Sequence, residues 1–414
     1  MRRILLLILL ISLSKSVNLA GPIDRSIIIA SSVWRHHRLG KIDRRMAVTP
    51  RYLILNRDDI TVECYDVYTG SEKWRWAAPA KLRWPQFHEE DASYKILCGW
   101  SFLFVTTTDG TLRAIDLDSG NEQWQFKPKA PITTPPVATT NTLFVQSAEG
   151  KIHAVDGRTG KKMWSARTKN RPVTPLFASG SLLLFGTAPA HIYAVSAETG
   201  HKRWKRRLSS GTPRYAPVVA PGRFAWPSSS GALHIIERAN GKTVSLIDMK
   251  APPLPGATIV GTRILLSTQT GYLLSADLMT GKEKWRQRIH KKRTRSLFTR
   301  TAQLFNFRAA GDIVAVVSLD DHRLVCLSSK DGKIMWTQPV AGDFSLPPLL
   351  WGEKLFCGGE KRSLVCYDRS GKKVWHTRSR SPLVTAPIVD SQGVIYFATS
   401  DGFLQAVRVE PFLE

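Results

Sequence analysis

Short apolar runs, many alternating with polar residues, recur along this chain, and polar turns separate them. The stretch from residue 141, NTLFVQSAEGKIHAVDGRTGKKMWSAR, is the clearest case. Leu143 to Gln146 predicts a strand, and Ala148-Glu149-Gly150 a turn. Lys151 to Asp156 alternates polar and apolar residues as a second strand. Arg158-Thr159-Gly160 predicts a tight turn whose glycine takes a positive φ. Lys161 to Ala166 then forms an outer strand, and Pro136-Val137-Ala138 supplies an inner one.

This unit is repeated. A small residue, one variable residue and Asp lead to a turn glycine, and Trp follows four residues later. The pattern appears as CYDVYTGSEKW (64–74), AIDLDSGNEQW (114–124), AVDGRTGKKMW (154–164), AVSAETGHKRW (194–204) and SADLMTGKEKW (275–285). Two looser copies are CLSSKDGKIMW (326–336) and CYDRSGKKVW (366–375). IIERANGKTVS (235–245) is a worn copy with Ser245 in place of Trp. The turn glycines, from Gly70 to Gly371, are spaced by 50, 40, 40, 41, 40, 51 and 39 residues. Four short strands at such a period are the signature of a propeller blade. One such sheet cannot bury both of its faces, so blades stacked in a ring complete the core.

The chain ends predict how the ring closes. Residues 385–408 supply three strands and stop without a Trp. SSVWRHHRLG (31–40) reads as an orphan outer strand with Trp34 as its tryptophan. Pairing the two ends completes the last blade, in one β-propeller domain over 31–410. Eight glycine-marked units and a closing unit make nine, unless one N-terminal unit is not a complete blade.

The AxDxxTGxxxW repeat resembles the PQQ-type propeller repeat over almost all of 31–410. That resemblance implies an all-β propeller of PQQ-like four-stranded blades, with eight favoured and nine open. It offers two branches. One holds quinoprotein dehydrogenases, which bind pyrroloquinoline quinone (PQQ). The other is the non-enzymatic, BamB-like branch, scaffolds of outer-membrane barrel assembly. The modest length and the lack of a Cys-Cys pair favour the second branch. The resemblance also implies that inter-blade loops hold a protein partner. The nearest segment is LSSGTPRYAP (208–217), with Arg214 as the candidate contact.

Residues 1–20, MRRILLLILLISLSKSVNLA, carry two arginines and then a ten-residue run, Ile4 to Leu13, that is apolar but for Ser12. This reads as a signal peptide, with an uncleaved anchor as the alternative. No cysteine follows the apolar run to accept a lipoprotein acyl group. The expected location is the periplasm or cell envelope. Five cysteines in 414 residues are too few for a disulfide-stapled scaffold, and no two form CxxC, so a zinc ribbon or thioredoxin motif is excluded.

Composition sharpens the partner question. The chain has 59 Lys and Arg against 33 Asp and Glu, a formal net charge of +26. HKRWKRR (201–207) and RQRIHKKRTRSLFTR (286–300) are the densest basic runs. Lys291, Lys292, Arg293 and Arg295 are candidate contacts to an anionic surface or polymer. The alternative is a solvated edge that resists aggregation. The signal-like leader and the lack of a nucleic-acid motif argue against nucleic acid. Asp320-Asp321 and His36-His37 read as a turn and a solvated edge. No triad, P-loop or metal-ligand spacing is present, so no catalytic residue, metal or cofactor is assigned. The expected protein is a non-enzymatic scaffold, monomeric within a complex, with a PQQ-dependent periplasmic dehydrogenase as the alternative. Trp74, Trp124, Trp164, Trp204, Trp285, Trp336 and Trp375 are assigned a structural role in the repeat.

Overall fold

The computed structural model describes residues 29–36, 42–57, 61–77, 97–107, 109–168, 170, 172–213, 215–254, 256–289, 305–318, 322–340, 346–359, 362–378 and 381–410. Every regular element among them is a strand. The strands form nine four-stranded antiparallel sheets. Blades 1 to 8 span 42–77, 97–126, 137–167, 177–207, 218–248, 258–288, 305–339 and 349–378. Each runs from an inner to an outer strand in chain order. Blade 9 takes Ile388–Val389, Val394–Ala398 and Leu404–Glu410 from the C-terminal end and Ile29–His36 from the N-terminal end.

The predicted closure is therefore present, with Trp34 opposite Ala406. The ring has nine blades, where the family resemblance favours eight. Ile42–Val48 gives the first glycine-marked unit its own inner strand, so that unit is a full blade.

Nine apolar clusters fill the ring, one between each pair of successive blades. Phe144, Phe185 and Tyr193 lie between blades 3 and 4, for example, and Leu53, Tyr65, Tyr396 and Leu404 between blades 9 and 1. This is how sheets that cannot bury both faces alone complete a core.

At seven of the nine seams a tryptophan packs over the turn glycine of the next blade. Trp204 lies opposite Ala194 within its own blade, and its indole N–H donates to Arg238 O of the next blade at 3.0 Å. Its ring covers Gly241, whose φ is +73°. A Cβ there would fall 2.6 Å from the ring, so glycine is required both for the turn and for the approach. Trp34, Trp74, Trp164, Trp285 and Trp336 make the equivalent indole bonds to Val67, Leu117, Ala197, Ser329 and Arg369. Trp74, Trp204 and Trp285 are buried. Trp124 and Trp164, expected to be largely buried, are half-buried, as are Trp336 and Trp375.

Three cysteines acquire a packing role from this geometry. Cys64, Cys326 and Cys366 occupy the small-residue slot opposite Trp74, Trp336 and Trp375, where other blades carry Ala or Ser. Burial pushes their thiols up to about 12, about 11 and about 12 respectively, which makes them poor nucleophiles. All five cysteines are free thiols.

The worn blade inverts the pattern. Ser245 replaces Trp, and opposite it stands Ile235 where other blades hold a small residue. Ser245 Oγ donates to Gly281 O at 2.6 Å. The carbonyl that an indole would have taken, Leu278 O, accepts from the Arg223 guanidinium at 3.2 Å.

Where the repeat aspartate is present, it organises the turn before the outer strand. Asp156 Oδ1 accepts from the N–H groups of Arg158 and Thr159 and from the Thr159 hydroxyl at 2.8–3.0 Å. The Thr159 hydroxyl and N–H hold the Asp156 carboxyl below the usual carboxylate range. These aspartates are therefore turn residues.

Candidate docking surface

One face of the ring gathers the connections between blades. Among the described residues, five connections from an outer strand to the next inner strand run beside the turn between that next blade's second and third strands. Backbone bridges fix this placement at Ile132–Ser147, Pro172–Thr187, Pro213–Ser228, Pro253–Thr268 and Leu383–Thr399.

The connection 208–217 is held along its length. Leu208 N donates to Ala190 O, and Thr212 Oγ1 donates to Pro189 O at 2.7 Å. Thr212 N donates to Ser229 Oγ, and Ser210 O accepts from His234 Nε2 at 3.1 Å. Arg214 itself lies outside the described residues, between the anchored Pro213 and Tyr215. Lys291, Lys292, Arg293, Arg295, Asp320, Asp321 and His37 also lie outside them, as does the whole of 1–20, and nothing is described of the His36 side chain. The long insertions begin after Ala77 and after Ile289, on this same face.

Arg286 and Arg288, read from sequence as part of the basic loop, belong to the outer strand of blade 6. Arg286 pairs with Glu283 at 2.7 Å and donates to Met249 O and Asp248 O of blade 5. Arg288 lies over the Tyr272 ring. Both are tied to the propeller wall.

Sequence reasoning missed a tier of polar side chains between the blades. It falls at the third-strand residue just before the small slot: Glu63, Arg113, His153, Tyr193, His234 and Gln405. In blades 6, 7 and 8 that position is Leu274, Val325 or Val365. Aligning the third strands of the repeats would have exposed the tier. Glu63 is fully buried, accepts from Tyr65 OH at 2.7 Å and pairs with Arg75 at 3.1 Å. Arg113 is held by Asp109, Glu122 and Gln125. His153 Nε2 meets Ser147 Oγ at 3.2 Å with Phe126 beside the ring. Burial pushes the His153 and His234 imidazoles below the usual histidine range. Among the described residues no three His, Cys, Asp or Glu side chains converge to hold a metal ion.

A search among curated protein sequences finds no match. Among solved structures, BamB from Moraxella catarrhalis superposes with a TM-score of 0.54 at 17% identity, covering 92% of this chain and 100% of that one. The quinohemoprotein alcohol dehydrogenase from Comamonas testosteroni gives 0.55 at 14% identity, covering 93% of this chain and 77% of that one. The computationally designed Ika8 protein gives 0.54 at 12% identity, with 91% and 98% covered. These likenesses show the fold. The profile of the family described as outer membrane protein assembly factor BamB matches residues 30–134, 108–338 and 269–410, so the chain belongs to that family.

Proposed function

We propose that this protein is a non-enzymatic docking scaffold of the bacterial cell envelope that takes part in outer-membrane protein assembly. It is exported through its N-terminal leader and acts within a complex. The observation that carries this reading is the anchored connection 208–217 on the loop face of a BamB-family propeller. A connection tied at Leu208, Ser210 and Thr212 loses little conformational freedom on binding, which is what a docking loop needs.

Its chemistry supports binding over catalysis. The repeat aspartates hold turns, the described thiols are pushed up by burial, and the buried histidines face the inter-blade core. The dehydrogenase reading is supported by the shared fold with the quinohemoprotein. Among the described residues no three His, Cys, Asp or Glu side chains gather where a divalent metal beside PQQ would need them.

The test is affinity purification of the tagged full chain from envelope extract, with partners identified by mass spectrometry. The parent is expected to retain the barrel-assembly subunit, and Arg214→Glu to lose it. A parent that retains no barrel-assembly subunit, or that gains PQQ absorbance and alcohol oxidation after reconstitution with PQQ and Ca2+, would overturn the reading.

A further inference from the structure

The outer strand of blade 4, Lys202–Arg207, places five cations around one tryptophan. None of the five makes an ion pair among the described residues. In blades 1 and 6 the repeat aspartate neutralises the cation just before the tryptophan: Asp66 lies 3.6 Å from Lys73, and Asp277 lies 3.9 Å from Lys284. In blade 4 the aspartate position is Ser196, so Arg203 has no such counter-ion. Ser196 thus leaves one of the five without the counter-ion that the repeat acid supplies in blades 1 and 6. Over residues 157–247 the chain carries 15 Lys and Arg against two acids, Glu198 and Glu237.

A second feature lies beside the first. Trp204 points to blade 5, and strand alternation puts Arg206 on that side too, while the β-bulge between Ala194 and Val195 turns Lys202 to the other face of the same exposed strand. Arg206 confirms it, since its Cγ would lie 3.0 Å from a Cβ on Gly241. Across this groove the outer strand of blade 5 turns Leu246 toward blade 4, and Val244 sits at a β-bulge on the exposed edge of the same strand. Ser245, between them, points the other way, to Gly281 of blade 6. Val244 and Leu246 are 43% and 50% exposed. Asp248, next in that row, is neutralised by Lys250 at 2.7 Å.

We propose that this wall, formed by the outer strand of blade 4 and the facing edge of blade 5, adsorbs onto an anionic lipid bilayer. Lys202, Arg203, Arg206 and Arg207 meet headgroup phosphates, while Val244 and Leu246 enter the boundary with the acyl chains. Paired cations and apolar side chains on one surface match a bilayer interface, which offers both environments. A soluble polyanion would leave the two apolar side chains in water. At Lys73 and Lys284 of blades 1 and 6 the cation before the tryptophan keeps an acid beside it, and Arg203 keeps none among the described residues. The inference concerns the side wall and needs no protein partner on the loop face.

The test is co-sedimentation of the purified full chain with phosphatidylglycerol/phosphatidylcholine vesicles, against phosphatidylcholine alone. The parent is expected to bind the anionic vesicles, weakly at high salt, and to ignore the neutral ones. Each cation near the surface is worth about fivefold in partition, so replacing Lys202, Arg203, Arg206 and Arg207 with Ser lowers binding more than a hundredfold. Val244→Ser with Leu246→Ser lowers vesicle binding about tenfold and leaves retention on soluble polyphosphate unchanged. Thermal unfolding checks the fold of each variant. If the quadruple variant does not fold, Arg203→Ser and Arg207→Ser alone must each lower binding about fivefold. The proposal fails if the cation variants bind as the parent does, or if the Val244/Leu246 variant keeps full vesicle affinity.

Discussion

In blade 1 the cations of the outer strand have acids beside them. Lys73 lies against Asp66, and Arg75 lies against Glu63 and Glu72. In blade 4 the same positions hold Arg203 and Lys205. Arg203 has no acid beside it, and Lys205 rests on the Tyr193 ring. The seams beneath the two walls are alike: Trp74 covers Gly120 as Trp204 covers Gly241. Between these two blades the seam is held constant and the wall varies on the outer strand.

The largest expected effect tests the shared half of this comparison. Trp74→Ala and Trp204→Ala should each cost about 3–5 kcal/mol, read from chemical-denaturation midpoints. Trp164, half-buried, should fall at or below the lower end of that range. A loss at one buried tryptophan and none at the other would mean that the seams are not equivalent.

The walls should respond differently. Arg75→Ala leaves the buried Glu63 carboxylate without its cation and should cost about 1–3 kcal/mol. Arg203→Ala should change stability by about 0.5 kcal/mol or less, because no partner is lost. Equal losses in the same denaturation assay would erase the distinction between the walls.

The worn seam between blades 5 and 6 sharpens the comparison. Ser245→Trp should destabilise by about 1–3 kcal/mol, since Ile235 fills the slot and Arg223 holds the indole's carbonyl. Adding Ile235→Ala should recover part of that loss. A stabilising single Ser245→Trp would show that the seam had simply lost its ring without repacking.

The smallest effect is pH dependence from the polar tier. His153 and His234 are held neutral by burial, so their folded pKa lies below the unfolded value of about 6.5. The unfolded chain binds more protons there, so stability is full above pH ~6.5 and declines as pH falls below it. His153 faces Glu149, Lys151 and Lys162 as its charged neighbours. His153→Gln with His234→Gln should flatten the decline between pH ~6.5 and ~5, read from thermal midpoints. An unchanged slope would place the acid sensitivity elsewhere.

Much of this architecture was legible in sequence because it repeats. The strands, the turn glycines and the closing strand around Trp34 follow from one period. The count of nine was harder, because Ile42–Val48, the inner strand of blade 1, lacks a repeat signature of its own. Compensations across a seam were not legible. Arg223 replaces a tryptophan absent from its own blade by reaching Leu278 O, 55 residues on. Arg286 reads as part of a basic run, yet it donates inward to blade 5. Such roles depend on which neighbour a side chain faces, and a period cannot state that. The loss of an acid at Ser196 was visible in the repeat, but its meaning needed the Lys73–Asp66 and Lys284–Asp277 pairs for comparison.

The most direct measurement removes equal charge from two walls. One variant replaces Lys202, Arg203 and Arg207 of blade 4 with Ser, and the other replaces Lys282, Lys284 and Arg288 of blade 6. Both lower the net charge by three, and both are assayed on the same anionic vesicles at the same ionic strength. The blade 4 variant should lose vesicle binding by about a hundredfold, while the blade 6 variant stays within a few-fold of the parent. Equal losses in the two would show that the vesicles sense net charge alone, and the distinct role given to the wall of blade 4 would be contradicted.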